Sequence, residues 1–305
     1  SALHTLSDQL LSCGKKQCLT ENAVLPDALP LSKERKGLPI PAAESQFSCA
    51  KSDTGKPFLL RLSSFAQLPD TWLTPRPILI LPIQTPEHQL LQLKQSGLLY
   101  GLELPRALYG EQKKIKEQIA HAKALGARFL LVGNLDGVAL AKEAGLPLLA
   151  GFGINAFNSL TINELHSLGL RGTVVSPELT KEQIAALRGQ GCRGLFAYGR
   201  LPLMLTRNCP IQNGTDCGTC NGTRSLTDRK GISFPVRCNN GAAELLNSRP
   251  IYLADKLDAF SGLDFYLLYC TVESAEEVQA VLHAYQTKKP ASGEFTRGLS
   301  FRGVL

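Results

Sequence analysis

The sequence has no long hydrophobic run and no recognisable targeting segment. Its 305 residues contain no stretch of 18 consecutive apolar residues, so we expect no transmembrane helix. The N-terminus, Ser1-Ala2-Leu3, lacks both a start methionine and a basic-then-apolar signal pattern, and we interpret it as the end of a processed or truncated chain. Nine irregularly spaced cysteines do not match a secreted disulfide scaffold, and they favour a cytoplasmic location.

Several catalytic motifs are also absent. The chain has no H-E-x-x-H zinc-protease motif, no G-x-S-x-G nucleophile elbow and no Walker loop. It has only five histidines, and His88, His121, His166 and His283 fall on predicted helices, away from strand ends. A Ser–His or Cys–His hydrolase therefore has no obvious base.

Composition and charge describe a folded protein. Apolar residues make up 44% of the chain and charged residues 19%, which is typical of a globular domain. The net charge of +7 permits a nucleic-acid partner but does not require one.

Short apolar runs alternate with amphipathic helical patterns from residue 57 onwards. Eight runs are predicted strands: 57–63, 77–83, 99–105, 128–134, 146–152, 172–177, 194–200 and 264–270. Helices are predicted between most of them, over 87–96, 110–125, 135–144, 159–168 and 181–190, with another over 274–285. This alternation requires parallel strands, and eight units predict an α/β fold of the (β/α)8 TIM-like barrel type. A doubly wound open sheet is the alternative, but no G-x-G-x-x-G follows any predicted strand.

One connection interrupts this rhythm. We predict that residues 1–56 form an N-terminal arm or the tail of a preceding domain, and that residues 57–305 form the barrel. Residues 201–263, between the seventh and eighth strands, are far longer than the ~2–6 residues of an ordinary barrel loop. The chain leaves the seventh strand at the face where barrel enzymes carry their active sites.

Four cysteines cluster in this insertion. Cys209, Cys217, Cys220 and Cys238 follow the pattern C-x7-C-x2-C-x17-C, and no histidine lies between His166 and His283. Four thiolates suit either tetrahedral zinc or an iron–sulfur cluster, and spacing alone does not separate the two. The structural alternative is a group of buried thiols or a disulfide pair.

Polar residues follow several predicted strands on the same face. Glu103 closes the third strand, Asn134 the fourth and Arg200 the seventh, and the fifth and sixth strands are followed by Asn155, Asn158, Ser176 and Glu178. Each residue taken singly is more often a cap or a turn former than a catalyst. Their shared position at strand ends makes them candidates for a site in the barrel mouth.

The insertion and its flanks resemble a known family. The stretches YGRLPLM (198–204), RNCP (207–210), LTDR (226–229) and FPVRC (234–238) are similar to peptidase family U32, the collagenase-like proteases, in its long multidomain branch. Supporting stretches are VGNL (132–135), FGINAFNS (152–159), SPEL (176–179), ELLNS (244–248) and FTRGL (295–299). The resemblance covers residues 57–305. Residues 1–56 match the family's usual opening poorly.

The resemblance implies a [4Fe–4S] cluster on Cys209, Cys217, Cys220 and Cys238, with zinc or an empty site expected in an aerobic preparation. Similar family members are oxygen-independent hydroxylases. Some modify a pyrimidine in ribosomal or transfer RNA with oxygen drawn from prephenate. We therefore expect an RNA hydroxylase, with a collagenase-like peptidase and a non-catalytic RNA- or partner-binding half as alternatives. The expected partners are RNA, a carboxylate oxygen donor such as prephenate, and an N-terminal half of the same protein.

Residue roles follow from these expectations. Glu103, Glu178 and Arg200 are the predicted catalytic residues, with the two glutamates orienting substrate or moving a proton. Arg200 and Arg207 would grip a phosphate or the carboxylate of the oxygen donor. The remaining predicted substrate-binding residues are Asn134, Asn155, Asn158, Arg224, Arg229 and Arg237, and these last three arginines would hold RNA phosphates.

Overall fold

The structure is a computed structural model, and it describes residues 55–72, 74–211, 223–239 and 241–302. All of these residues belong to one compact unit, Pro41–Leu305. The N-terminal arm predicted over residues 1–56 lies, up to residue 54, outside the described residues.

Eight parallel strands close into a barrel. In chain order, its elements are β1 (Phe58–Arg61), β2 (Ile78–Pro82), α1 (Glu87–Gln95), β3 (Tyr100–Glu103), α2 (Gln112–Leu125), β4 (Leu130–Val132), α3 (Leu135–Lys142), β5 (Leu148–Ala150), α4 (Ser159–Ser167), β6 (Leu170–Val174), α5 (Lys181–Ala186) and β7 (Cys192–Gly199). The strands from β1 to β7 pair in sequence order.

The inserted lobe, residues 202–246, follows β7. It is a four-stranded antiparallel sheet of β8 (Pro202–Thr206), β9 (Thr223–Thr227), β10 (Ser233–Asn239) and β11 (Ala242–Leu246), in the order β8-β11-β10-β9. The chain then returns through β12 (Ile251–Tyr252), which pairs antiparallel with β7. The eighth barrel strand is β13 (Phe265–Tyr269), and α6 (Ala275–Gln286) ends the fold.

Closure of the sheet confirms the predicted barrel and excludes the open-sheet alternative. The strand β13 pairs in parallel with both β1 and β7, while β7 also pairs with β6. Residues of β4, β5 and β13 are buried along their whole length. Parallel strands covered on both faces are continuously apolar, which is why these runs could be recognised in the sequence.

Three predicted elements are displaced, and one of them is the seventh strand, which begins at Cys192, two residues before the predicted run. The sixth strand begins at Leu170, two residues before the predicted run, and α5 ends at Ala186 rather than at residue 190. The helix ends because Leu187 has ψ 139°, outside the helical region. Gly189 and Gly191, with φ values of +127° and +85°, also have backbone conformations that a right-handed helix does not use. In the described part of the chain, none of the helices has the length and apolar composition needed to cross a bilayer.

Candidate active site at the barrel mouth

The mouth is the barrel face formed by the C-terminal ends of the eight strands. Arg61 ends β1, Glu103 ends β3 and Tyr269 ends β13, so parallel pairing brings all three to this face. The Arg61 guanidinium donates to Glu103 Oε2 from Nε at 2.8 Å and from Nη2 at 2.5 Å. The Tyr269 hydroxyl donates to Glu103 Oε1 at 3.1 Å. Glu103 is therefore a buried carboxylate held by three donors.

Arg61 is fully buried but well satisfied. Its Nη1 donates to Ser63 Oγ at 2.7 Å and to the Cys270 carbonyl at 3.1 Å, and its guanidinium lies 4.3 Å from the centre of the Tyr269 ring. Burial alone lowers the pKa of Arg61, but the adjacent Glu103 carboxylate outweighs it, and the pKa lies above its ordinary value. Arg61 is therefore a permanent buried cation.

The inserted lobe adds a second buried ion pair. Arg237 on β10 and Glu244 on β11 are register neighbours, and Arg237 Nη2 lies 3.1 Å from Glu244 Oε2. The Glu244 side chain is 0% exposed. On the barrel side, Arg237 Nη1 donates to Ser63 Oγ, and Arg106 Nη1 lies 3.4 Å from Glu244 Oε1. The lobe is thus attached to the mouth through charged side chains.

Arg106 extends from the loop after β3 along a path lined by glycine. Its guanidinium lies 5.2 Å from the Phe152 ring centre. A Cβ at Gly133 would lie 2.9 Å from Arg106 Cγ, and one at Gly153 would lie 3.3 Å from Arg106 Nε and 2.6 Å from the Gly133 carbonyl oxygen. Side chains at these two positions would displace the arginine.

Five of these residues, Arg61, Glu103, Arg106, Arg237 and Glu244, are called the ionic cluster below. It contains three guanidiniums and two carboxylates. Beneath it, Phe152, Phe196 and Tyr269 pack with ring centres 5.1–5.7 Å apart. This arrangement combines an apolar floor with a group of fixed charges in which the positive ones exceed the negative by one, which suits an anionic ligand.

The other two predicted catalytic residues lie outside this cluster. Glu178 is exposed in the turn after β6. Arg200 Nη1 donates to the Asn247 carbonyl at 3.1 Å and to the Ser248 carbonyl. Arg200 therefore anchors the returning chain, and of the predicted catalytic residues only Glu103 lies among the buried charges.

The predicted asparagines act as caps and turn residues. Asn134 caps α3, where its Oδ1 accepts from Gly137 N at 2.6 Å and its Nδ2 donates to the Arg106 carbonyl at 2.7 Å. Asn158 caps α4 by accepting from Thr161 N at 2.9 Å. Asn155 is exposed and left-handed, with φ 55°. Only Asn134 adjoins the ionic cluster, since it holds the backbone of Arg106.

The predicted RNA-binding arginines separate into two groups. Arg207 and Arg229 are exposed and Arg224 is half-buried, with the Arg207 guanidinium 5.3 Å from the ring centre of Tyr109. Arg237 is buried in the ionic cluster. The first group is accessible to solvent, whereas Arg237 faces the barrel.

The structure describes two of the four predicted metal ligands, Cys209 and Cys238. Strand register aligns Cys238 of β10 with Ala243 of β11, and Ala243 with Thr206 of β8. Cys209 follows Thr206 by three residues, so Cys209 and Cys238 lie at the same end of the lobe sheet. Cys238 is exposed whereas the preceding Arg237 is buried, as expected for consecutive strand residues that point to opposite faces.

Cys217 and Cys220 lie outside the described residues. Within the described ranges there is no group of three or more His, Cys, Asp and Glu side chains that could hold a metal ion. The described chain stops at Ile211 and resumes at Thr223, which pairs with Arg237. Both ends of this gap are thus close in sequence to the end of the lobe sheet that carries Cys209 and Cys238.

The other described cysteines are placed differently. Cys192 begins β7 and is disulfide-bonded. Since β7 has eight residues, Cys192 lies more than ~20 Å along the strand from the mouth. Cys270 follows β13 and is fully buried. Burial, assisted by Glu273, raises the pKa of the Cys270 thiol well above its ordinary value.

Sequence reasoning missed most of the ionic cluster. Arg61 had a detectable signal, because a charged residue is unusual within an apolar run such as PFLLRLS. Glu103 has a comparable position at the end of its strand and was predicted to be catalytic on that ground. Arg106 and Glu244 carried no comparable signal, since only the docking of the lobe brings them together. The sequence likewise gave no indication that Ser63 and Tyr269 contribute to this site.

Comparison of the chain with models of known protein families and with curated proteins finds no match.

Proposed function

We propose that this protein is an iron–sulfur-dependent, oxygen-independent hydroxylase that acts on a base in ribosomal or transfer RNA, as the resemblance to family U32 implies. The observation that carries the proposal is the position of Cys209 and Cys238 at one end of a sheet that contacts the barrel mouth. Arg237, which precedes Cys238, contacts Ser63 at the mouth. A cysteine site at this end of the sheet is therefore next in sequence to a contact with the face where barrel enzymes perform their chemistry, while the Cys238 side chain points to the opposite side of the sheet.

The described geometry is compatible with a four-thiolate centre. The strands β8 and β10 are separated by β11, which places their ends on the order of 10 Å apart. Cys220 precedes Thr223 by three residues, so chain length limits its Cα to about 11 Å from that of Thr223. Cys209, Cys217, Cys220 and Cys238 would hold the [4Fe–4S] cluster, which supplies single-electron chemistry when bound. Zinc on the same thiolates is expected after aerobic purification.

The side chains of the mouth would bind and orient the reactants. Glu103 already accepts from Arg61 and Tyr269, so its role is to fix these two donors. Burial raises the pKa of Tyr269 above its ordinary value, which keeps the hydroxyl protonated. The donors of the ionic cluster that are left for an acidic reactant, such as a prephenate-like oxygen donor, are those of Arg106 and Arg237. Because these side chains are already held in place, they would bind it without reorganisation during the reaction.

RNA would approach across the outer surface of the lobe. Arg207, Arg229 and Lys230 are exposed there and Arg224 is half-buried, and they would provide sequence-independent phosphate contacts that weaken with salt. A base must leave its stack to reach the mouth, so an unpaired loop is the expected target.

The peptidase alternative has less support from the described residues. The Ser63 hydroxyl contacts two arginines and the Cys270 carbonyl, which provides no base to activate it. The Cys270 thiol has a raised pKa, and a protonated buried thiol is a poor nucleophile.

The proposal is tested by mass spectrometry of RNA nucleosides from cells that lack the protein. We expect one hydroxylated nucleoside to disappear, and to return with the wild-type gene and with Ser233→Ala, but not with Cys209→Ser or Cys238→Ser. Wild-type protein purified anaerobically should show a visible absorption band that both cysteine variants lose.

Two other outcomes would decide for the alternatives. If no nucleoside changes, and the anaerobic protein cleaves gelatin but loses that activity on Cys209→Ala, the protein is a peptidase. If no nucleoside changes, gelatin is not cleaved and the protein binds zinc without a visible band, the non-catalytic binding role is correct.

A further inference from the structure

The charges of the ionic cluster do not balance. Arg61 is paired with Glu103, while Arg106 and Arg237 share the single carboxylate of Glu244. Within the described residues, no further carboxylate lies within salt-bridge distance of these arginines. Among the described residues, one positive charge at the junction of lobe and barrel therefore has no counter-ion of its own. A buried charge is costly unless it is paired.

Among the arginines of the ionic cluster, Arg237 is the one with a buried donor that has no hydrogen-bond partner in the described residues. Its side chain is 8% exposed, and its Nε is buried without a hydrogen-bond partner in the described part of the chain. Arg61, by contrast, donates to Glu103, Ser63 and Cys270. Native structures leave few such groups unsatisfied without a functional reason.

Arg106 is the accessible member of the pair. Its contact with Glu244 is long, at 3.4 Å, and its side chain is 20% exposed. The glycines at 133 and 153 lie against its stem and Nε, and the Phe152 ring lies beside its guanidinium. This packing directs the side chain towards the lobe, where its guanidinium makes one hydrogen bond among the described residues, to Glu244.

We propose that Arg106 and Arg237 form an anion-binding site at the junction of the inserted lobe and the mouth, and that its ligand is a carboxylate group of a small acid. One carboxylate neutralises the excess charge, whereas a phosphate dianion would leave a net negative charge beside Glu103 and Glu244. Planar guanidinium groups also match carboxylate geometry. The proposal rests on the proposed function only for the ligand's identity, the acidic oxygen donor, because binding itself requires neither the cysteines nor RNA.

The test is a thermal-shift titration of the purified protein with sodium benzoate and with inorganic phosphate, at constant ionic strength set with chloride. Benzoate is expected to raise the melting temperature of the wild type in a saturable way, because a ligand that binds only the folded state stabilises it. Arg106→Gln should raise the apparent dissociation constant about tenfold or more, the typical effect of a lost charge-assisted hydrogen bond. Arg237→Lys, which keeps the charge but removes Nε, should weaken binding less than Arg106→Gln.

The matched control is Arg76→Gln, which removes the same charge from an exposed arginine before β2, at the opposite end of the barrel. It should bind benzoate as the wild type does. The proposal is overturned if benzoate gives no saturable shift, if Arg106→Gln binds it as tightly as the wild type, or if phosphate binds more tightly than benzoate. Because this readout uses neither cluster nor RNA, binding without any nucleoside change would disprove the hydroxylase and leave the anion site standing.

Discussion

At the scale of single residues, the position of a residue along a strand predicted which face of the barrel its side chain reaches. The ion pairs formed across the mouth could not be predicted in this way. Glu103 was recognised because it closes an apolar strand, and the structure places it in the buried cluster. Its partner Arg61 ends a strand 42 positions earlier, and nothing in the local sequence links the two. Local pattern predicts which face of the barrel a side chain reaches, while its partner depends on the register of strands that are distant in sequence.

The Arg61–Glu103 pair leads to a stability prediction. Glu103→Gln removes the carboxylate and leaves the buried Arg61 cation without its counter-ion, so we expect the free energy of unfolding to fall by about 3 kcal/mol. Urea unfolding followed by circular dichroism measures this change.

The control for this prediction is Glu294→Gln, which removes the partner of Arg249 in an exposed ion pair. No measurable change is expected from it, because exposed pairs contribute little. Equal stability of Glu103→Gln and the wild type would show that Arg61 does not depend on Glu103.

At the scale of elements, the barrel strands were predictable and the strands of the lobe were missed. Barrel strands are continuous apolar runs, whereas β9 and β10 combine charged, polar and apolar residues. A signal was nevertheless present. Asn240-Gly241 stands between β10 and β11, whose register pairs Asn239 with Ala242, and an Asn-Gly dipeptide is the strongest short-range indication of a two-residue hairpin.

This hairpin gives the second stability prediction. Gly241 has φ 74° with open space around its Cα, so Gly241→Ala should cost about 1–2 kcal/mol through backbone strain alone. The hairpin carries Cys238, and hydrogen exchange should therefore accelerate in β10 and β11. Ser225→Ala, an exposed substitution on the neighbouring strand β9, should leave these rates unchanged. Unaltered exchange in Gly241→Ala would show that the turn does not limit the stability of the lobe.

At the scale of the whole molecule, the notable feature is that a charged contact joins the inserted lobe to the mouth. A lobe held by apolar packing would be fixed to the barrel regardless of ligand. Here the contact includes Arg237 on Ser63 and Glu244 beside Arg106, so its net charge would change if the proposed anion site held a carboxylate. The sequence predicted an insertion between the seventh and eighth strands, but it could not reveal this contact, because Arg237 was predicted to hold RNA phosphate and Glu244 had no predicted role.

Glu244 is the residue on which this attachment should depend. Glu244→Gln removes the only carboxylate between Arg106 and Arg237 in the described chain, so two cations would then face each other at the junction. We expect the lobe to open more readily, by about 3 kcal/mol. Hydrogen exchange and limited proteolysis should show this as faster exchange in β10 and β11 and faster cleavage within residues 201–246. The barrel strands should keep their protection, because local opening does not require global unfolding.

The same variant links attachment of the lobe to the anion site. If the excess positive charge weakens the junction, an added carboxylate should supply the missing counter-ion, and sodium benzoate should restore protection in Glu244→Gln. The matched control is again Glu294→Gln, whose exchange should equal that of the wild type with or without benzoate. Wild-type exchange rates in Glu244→Gln would mean that packing, rather than charge, holds the lobe. Faster exchange that benzoate does not reverse would mean that Arg106 and Arg237 accept no carboxylate other than Glu244.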